Sequence, residues 1–123
     1  MAQRHLLIVD DSPLVTDALR VLCEASGYRV SVAATAADAV TRYVADPPSV
    51  MVLDLTLPDG SGLSVLDQLV ERHHTPRTVV LTGHDDPAIR ERCLARGCLA
   101  VLVKPVPVRE LLAQVQSIET ALP

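Results

Sequence analysis

The chain has 123 residues, of which 49% are hydrophobic and 21% are charged, and its formal net charge is -4. This length and balance are typical of one globular domain that buries a core without disulfides or a structural metal, and they exclude a multidomain enzyme within this chain. The acidic balance, with no run of basic residues, argues against direct binding of nucleic acid.

The sequence also carries no sign of a membrane segment. Its longest apolar stretches are far shorter than the ~20 residues that cross a bilayer, and no signal-peptide pattern follows residues 1–4. We therefore predict a cytoplasmic protein without a membrane partner. The three cysteines, Cys23, Cys93 and Cys98, lack metal-ligand spacing, so we interpret them as buried or idle reduced thiols.

Short apolar runs alternate with helical patterns along the whole chain. The apolar runs predict five strands: His5–Val9, Tyr28–Ala33, Val50–Leu53, Thr78–Leu81 and Leu99–Val103. Nearly all of their residues are apolar, which is typical of strands in a sheet that is covered on both faces.

A helix is predicted after each strand. The first begins at Pro13 after a cap by Asp11 or Ser12 and ends at Gly27, and the second begins with the capping pair Thr35 and Asp38. Pro47 and Pro48 end this second helix, and a loop is expected over Leu57–Gly60 before the third. The fourth is capped by Asp85 or Asp86 and ends at Gly97. The residues predicted to face inward are Leu14, Ala18, Val21, Leu22 and Ala25 in the first helix, Ala36, Ala39, Val40, Tyr43 and Val44 in the second, Leu63, Leu66, Leu69 and Val70 in the third, and Val108, Leu111, Leu112, Val115 and Leu122 in the fifth.

Five strands alternating with five helices predict parallel strands joined by right-handed crossovers. The expected fold class is α/β, a three-layer α/β/α sandwich around one five-stranded parallel sheet. We find no linker and no low-complexity segment, so residues 1–123 are predicted to form a single domain.

Polar residues stand where four of the five strands end. They are Asp10, Asp11, Asp54, Thr82 and Lys104. Because the carboxyl ends of parallel strands lie at one edge of the sheet, where ligands bind, we expect these side chains to form a site. Three neighbouring carboxylates repel one another or bind a hard divalent cation, for which Mg²⁺ is the natural candidate.

The lysine and the carboxylates together suggest phosphoryl chemistry. Lys104 adds positive charge that a metal site alone would not need, so an anionic phosphoryl group fits between the metal and the lysine. A carboxylate that attacks phosphorus forms an aspartyl phosphate while the cations neutralise the phosphoryl oxygens. Asp54 is the best candidate for this nucleophile because it stands alone after a central buried strand, whereas Asp10 and Asp11 are placed to share a metal ion.

The chain resembles the receiver domains of two-component response regulators, including those of the chemotaxis-response-regulator type. The resemblance rests on motifs in a fixed order: Val9-Asp10-Asp11-Ser12, Leu53-Asp54-Leu55, Leu57-Pro58-Asp59-Gly60-Ser61-Gly62, Leu81-Thr82-Gly83 and Lys104-Pro105. It implies a flavodoxin-like (βα)5 fold with strand order 2-1-3-4-5, and one receiver domain over residues 1–123 with no output domain in this chain.

The resemblance further implies a phosphoacceptor switch. Asp54 would accept a phosphoryl group from a phosphohistidine on a sensor histidine kinase or a histidine phosphotransfer protein, and a downstream effector or output domain would read the change. Mg²⁺ would be ligated by Asp11, Asp54 and the backbone carbonyl of Thr56, with Asp10 acting mainly through a metal-bound water. Lys104 would pair with the phosphoryl group.

Four further residues are implied to switch or modulate this site. Thr82 would donate its hydroxyl to the phosphoryl group, and Pro105 would hold the turn after Lys104 through a cis peptide. His84 is either an exposed loop residue or a modulator of water access. Val101 departs from the family, which usually carries Tyr or Phe at this position, so the usual aromatic readout is not expected.

Three other functions are weighed against this one. A phosphorylation-independent interaction module of the same fold would be expected to lack some of the acidic or lysine groups, and none is missing. A Mg²⁺-dependent phosphatase of the haloacid dehalogenase type expects a second Asp two residues after the nucleophile, where Thr56 stands. A flavin carrier would need an aromatic residue near a strand end. We therefore expect no enzyme beyond self-catalysed phosphorylation and dephosphorylation.

Overall fold

The structure is a computed structural model, and it describes residues 4–120. Strands and helices alternate along the chain, with two additional short strands in the loop that precedes the third helix. In chain order the elements are β1 (His5–Val9), α1 (Pro13–Ala25), β2 (Arg29–Ala33), α2 (Ala36–Ala45), β3 (Val50–Asp54), β4 (Thr56–Leu57), β5 (Gly60–Ser61), α3 (Gly62–Glu71), β6 (Thr78–Thr82), α4 (Pro87–Ala95), β7 (Ala100–Val103) and α5 (Val108–Thr120).

Five strands form the central sheet in the order β2-β1-β3-β6-β7, and each neighbouring pair is parallel. Since β6 and β7 are the fourth and fifth predicted strands, the predicted order 2-1-3-4-5 is confirmed. The three-layer arrangement is confirmed as well, because buried residues of α1 and α5 pack against one face of the sheet and those of α2, α3 and α4 against the other.

Residues of each strand contribute alternately to the two cores. In β1, Leu6 and Ile8 lie in the core beneath α1 and α5, whereas Leu7 and Val9 lie in the core beneath the other three helices. This alternation follows from the pleat of the strand, which points successive side chains to opposite faces. The same alternation determines toward which face of the sheet the side chains at the strand ends point.

The hairpin of β4 and β5 replaces the loop predicted over Leu57–Gly60. Thr56 pairs with Ser61 and Leu57 pairs with Gly60 in an antiparallel arrangement. Gly60 adopts a φ of 145°, a conformation that favours glycine. Each of these strands is only two residues long, which is too short to be predicted from a periodic sequence pattern.

The predicted inward face of α1 is wrong for most of its members. Leu14 is 83% exposed and Val21 is 71% exposed, and Ala18 and Ala25 also face solvent, while Leu22 is partly buried. The buried residues of this helix are instead Thr16, Leu19 and Cys23. Burial of Thr16 is tolerated because its hydroxyl donates a hydrogen bond to the carbonyl of Ser12 at 3.2 Å.

Most predicted helix boundaries are confirmed. The Thr35 hydroxyl accepts a hydrogen bond from the Asp38 N–H, the Asp86 carboxylate accepts one from the Ala88 N–H, and Gly97 follows α4 with a φ of 85°. Val44 and Val70, predicted to face inward, are 43% and 54% exposed. Leu122 lies outside the described residues. Within residues 4–120, no helix is both long enough and apolar enough to span a bilayer.

The corrected face of α1 gives a stability prediction. Leu19→Ala removes a fully buried side chain and is expected to lower the free energy of unfolding by about 2–5 kcal/mol. Leu14→Ala, on the same helix but exposed, is expected to change it by less than about 0.5 kcal/mol. Urea denaturation of both variants measures these changes. Equal decreases in the free energy of unfolding would support the inward face that was predicted from the sequence.

Candidate functional site

The ends of β1, β3 and β7 bring three charged side chains together. Hydrogen bonding between strands continues one residue past two of these ends, because the Asp10 N–H donates to the Ala33 carbonyl at 3.1 Å and the Lys104 N–H donates to the Thr82 carbonyl at 2.7 Å. Asp10 and Lys104 are therefore held as firmly as strand residues. Asp54 is itself the last residue of β3.

Lys104 forms the centre of this cluster. Its ammonium nitrogen lies 2.9 Å from Oδ2 of Asp54 and 3.3 Å from Oδ2 of Asp10. Burial alone would lower the pKa of Lys104, but the hydrogen bonds and negative charges of the two aspartates outweigh it, and the net effect raises that pKa. The side chain is thus a cation held between two carboxylates.

Asp10, Asp11 and Asp54 form a cluster that could hold a metal ion. One carboxylate oxygen from each lies within 4.8 Å of those of the other two. Asp10 and Asp54 are only 2% and 5% exposed, whereas Asp11 faces solvent. A set of carboxylate oxygens with one open side suits Mg²⁺, which binds one or two carboxylates and keeps several waters.

A cleft of about 420 Å³ lies over this cluster. Its lining residues are Asp11, Asp54, Thr56, Leu57, Pro58, Gly83 and Lys104. The Thr56 N–H donates a hydrogen bond to Oδ1 of Asp54 at 3.0 Å, while Lys104 contacts the other oxygen, so both oxygens of Asp54 have a fixed direction. The cleft is thus open to solvent above an oriented carboxylate.

Thr82 is the last residue of β6, and its hydroxyl is hydrogen-bonded to the backbone of His84 rather than to the acidic cluster. Its hydroxyl oxygen accepts a hydrogen bond from the His84 N–H at 3.1 Å, and the hydroxyl also lies 3.4 Å from the His84 carbonyl. The Thr82 side chain is buried, and the His84 side chain is exposed. The modulating role of His84 stays a prediction, since only its backbone contacts the threonine.

Val101 and Pro105 lie where the sequence predicted them. Val101 is 6% exposed, pairs in register with Val80 and belongs to the core beneath α2, α3 and α4. The peptide bond between Lys104 and Pro105 is cis, as predicted. A small, buried aliphatic side chain thus stands at the position where the family resemblance implies an aromatic ring.

Gly62 ends one of the motifs that carry the family resemblance, but the sequence analysis assigns it no role. A Cβ atom at this position would lie 2.5 Å from the carbonyl oxygen of Asp54 and 3.0 Å from Cα of Leu55. The Gly62 N–H also donates to the Leu55 carbonyl at 2.9 Å. Only glycine allows α3 to begin this close to the end of β3.

Asp59 belongs to the same motif, and the sequence analysis assigns it no role either. Its carboxylate accepts hydrogen bonds from the N–H groups of Ala36 and Ala37, at 2.7 and 3.0 Å, and so ties the hairpin to the start of α2. These backbone hydrogen bonds hold the pKa of Asp59 below its ordinary value. The tether is therefore present above the ordinary carboxyl pKa and is lost as the pH falls through the lowered value.

Comparisons with known proteins find relatives that align with most of the chain. The chain is 36% identical over 110 residues to the acid tolerance regulatory protein ActR of Rhizobium meliloti, an alignment that covers 89% of this chain and 57% of that protein. It is 35% identical over 112 residues to the transcriptional regulatory protein KdpE of Mycobacterium tuberculosis, covering 91% of this chain and 49% of that protein. The chain therefore spans about half the length of these relatives.

Solved structures show the same fold over nearly the full chain. The non-phosphorylated HemR receiver domain of Leptospira biflexa superposes with a TM-score of 0.91 at 26% identity, covering 98% of each chain. A CheY-like receiver domain from Methanospirillum hungatei superposes with a TM-score of 0.88 at 26% identity, covering 97% of this chain and 96% of that one. The profile of the response regulator receiver domain family matches residues 6–116, and the chain belongs to this family.

Proposed function

We propose that this receiver domain is the phosphoacceptor of a two-component phosphorelay, with Asp54 as the residue that is phosphorylated. The observation that carries the proposal is the contact of 2.9 Å between the Lys104 ammonium and Asp54 within the acidic cluster. A buried carboxylate with a fixed orientation, beside a cation and below an open cleft, has the surroundings of a nucleophile for phosphoryl transfer.

The transfer proceeds at a carboxylate oxygen of Asp54. As this oxygen forms its bond to phosphorus, the bond between phosphorus and the donor's imidazole nitrogen breaks, and that nitrogen keeps the electron pair. Lys104, which faces Oδ2 of Asp54, then lies next to the new phosphoryl group and pairs with its oxygens. Asp11, Asp54 and the Thr56 carbonyl would hold Mg²⁺, with Asp10 contributing through a metal-bound water, and the ion would supply positive charge to the phosphoryl oxygens.

The threonine supplies the change of state. In the structure its hydroxyl is hydrogen-bonded to the backbone of His84. A phosphoryl group on Asp54 offers this hydroxyl a charged acceptor, which forms a stronger hydrogen bond than a neutral one. Thr82 therefore exchanges a partner in its own loop for the phosphoryl group, and residues 83–86 reorder.

The partners follow from the same chemistry. A sensor histidine kinase or a histidine phosphotransfer protein supplies the phosphoryl group in the cytoplasm, and an effector or an output domain reads the reordered surface. The relatives named above are regulatory proteins about twice the length of the aligned region. We assign no direct nucleic-acid contact to residues 1–123, whose net charge is -4.

Phosphorylation of Asp54 is tested with acetyl phosphate and Mg²⁺ by intact mass and peptide mapping. We expect one phosphoryl group on the wild-type chain, at Asp54, and none on Asp54→Asn or after chelation of Mg²⁺, because an amide is not a comparable nucleophile. Asp17→Asn, which removes an exposed carboxylate of α1, should be labelled like the wild type.

Labelling that persists in Asp54→Asn would refute the assignment of the phosphorylated residue. A wild-type chain that binds Mg²⁺ but takes no label from acetyl phosphate or from a phosphohistidine donor would favour the phosphorylation-independent interaction module. The two outcomes differ because only the second leaves the wild-type mass unchanged.

Metal binding is tested by thermal denaturation with and without Mg²⁺. At a Mg²⁺ concentration about 100 times Kd, stabilisation of the wild type should reach about 2.7 kcal/mol. Asp11→Asn should reduce this gain and should raise the melting temperature of the metal-free protein, because it removes one of three neighbouring negative charges. An unchanged response to Mg²⁺ would show that Asp11 is not a ligand.

Because position 101 is valine rather than an aromatic residue, we predict that the conformational response to phosphorylation stays close to Thr82 and Lys104. Valine is β-branched and stiff about its single torsion, so it is not a two-position latch. Beryllofluoride with Mg²⁺, a phosphoryl mimic, should shift the amide resonances around Thr82 and Lys104 but leave the exposed face of α5 nearly unchanged. Amide NMR measures both regions, and large cooperative shifts across residues 108–116 would contradict this prediction.

A further inference from the structure

The end of α4 brings two cysteines together. The Cys98 N–H donates to the Cys93 carbonyl at 3.2 Å, and the Gly97 N–H donates to the Leu94 carbonyl at 3.0 Å. With Gly97 at a φ of 85°, this is a Schellman motif, in which the side chains of the first and sixth residues commonly contact each other. Here those two residues are Cys93 and Cys98.

The two thiols lie in the same part of the core. Cys93 is 0% and Cys98 is 6% exposed, and both belong to the core beneath α2, α3 and α4. The two positions whose side chains ordinarily make a hydrophobic contact across this motif are therefore both occupied by cysteine. A hydrogen bond joins their backbones, so the fold holds these two residues side by side.

Helix α1 ends in the same motif and provides an internal comparison. Gly27 follows the helix with a φ of 94°, and the Tyr28 N–H donates to the Cys23 carbonyl at 3.1 Å. Cys23 thus occupies the position that Cys93 occupies in α4, and it is equally buried. The residue across the motif is Tyr28 rather than cysteine, so Cys23 has no thiol at this place to react with.

We propose that Cys93 and Cys98 are an oxidisable dithiol, and that a hydroperoxide converts them to a disulfide that links the last turn of α4 to the residues leading into β7. One thiolate attacks a peroxide oxygen, which breaks the oxygen–oxygen bond and gives a sulfenic acid. The other oxygen leaves as hydroxide, or as an alkoxide from an organic hydroperoxide, and takes up the proton that the thiol lost. The second thiol then attacks the sulfenic sulfur, forms the disulfide and releases water. The two thiols lose two electrons, and the hydroperoxide gains them.

The surroundings of the pair indicate the order of attack. Burial raises the pKa of both thiols, that of Cys98 to about 12. The charges of Arg96 and Arg90 oppose the shift at Cys93, whereas at Cys98 the neighbouring Cys93 adds to the shift and Arg96 opposes it. Cys93 is therefore the better nucleophile of the two, and Cys98 is the residue that closes the disulfide.

Burial also sets the rate, because a thiol without access to solvent reacts only when the structure opens locally. Cys93 is the buried residue of α4, and Ile89 is partly buried beside it, so few side chains hold this helix to the sheet. Opening of α4 is accordingly the step that exposes the pair. Oxidation should be slow in native buffer and faster in urea below the unfolding transition.

The experiment treats the reduced full chain with hydrogen peroxide, alkylates the remaining thiols after denaturation and maps the peptides with trypsin. Cleavage after Arg92 and Arg96 separates the two cysteines, so a disulfide between them appears as two linked peptides. We expect this linked pair to form, to disappear on treatment with dithiothreitol, and to leave Cys23 alkylated.

A matched variant separates the dithiol from simple thiol oxidation. In Cys98→Ser the linked pair should be lost, and Cys93 should proceed to sulfinic acid instead. Three results would overturn the proposal: Cys93 and Cys98 stay reduced while Cys23 is oxidised, each is oxidised separately in the wild type, or the link joins two chains. The wild-type map decides between these results even if the variant does not fold, and none of them depends on phosphorylation of Asp54.

Discussion

The acidic pocket depends on the ammonium group of Lys104. Asp10 and Asp54 are almost fully buried, and two buried carboxylates beside a third would be strongly destabilising without a cation. Lys104 contacts both, at 3.3 and 2.9 Å, although β6 separates its own strand from the strand of Asp54. A long, flexible side chain is needed to reach across this intervening strand. The hydrogen bond from the Lys104 N–H to the Thr82 carbonyl fixes the position of the backbone from which the side chain extends.

The pleat of the sheet explains why the threonine stands apart from these three residues. Alternate residues of β3 and β6, such as Val52 and Val79, lie in the core beneath α1 and α5, and Asp54 continues this series in β3. Thr82 follows the opposite series through Val80, as Val101 does in β7. The threonine and the valine therefore share the face covered by α2, α3 and α4, which is the face to which the Cys93 and Cys98 pair also belongs.

Much of the fold and site could be predicted because their signals are local. Each strand is a run of mostly apolar residues, four of the five are followed by or end at a polar residue, and parallel topology alone places those polar residues at one edge. The inward face of α1 was mispredicted because apolar residues occur on more than one side of this helix, and Thr16 and Cys23 carry weaker hydrophobic signals than Leu14 and Val21. Which side of the helix faces the core is decided by its packing against the sheet and α5, and the sequence of the helix alone does not determine that packing.

The roles of Gly62, Asp59 and the cysteine pair depend on distances between separate segments. A glycine at the first position of a helix looks the same in sequence whether its Cβ would meet solvent or a backbone carbonyl. The two cysteines are five positions apart and are read as unrelated until the motif at the end of α4 folds one back onto the other. These features arise from the tertiary structure, so they cannot be predicted from a periodic pattern in the sequence.

The close approach at Gly62 makes the packing on the two sides of the cleft unequal. Where α3 begins, the backbone of Asp54 and Leu55 lies in direct contact with the helix. On the other side, a Cβ atom at Gly83, which lines the cleft, would meet no atom within 4 Å apart from its chain neighbours. A larger side chain can therefore be accommodated at position 83 without a clash, whereas none fits at position 62.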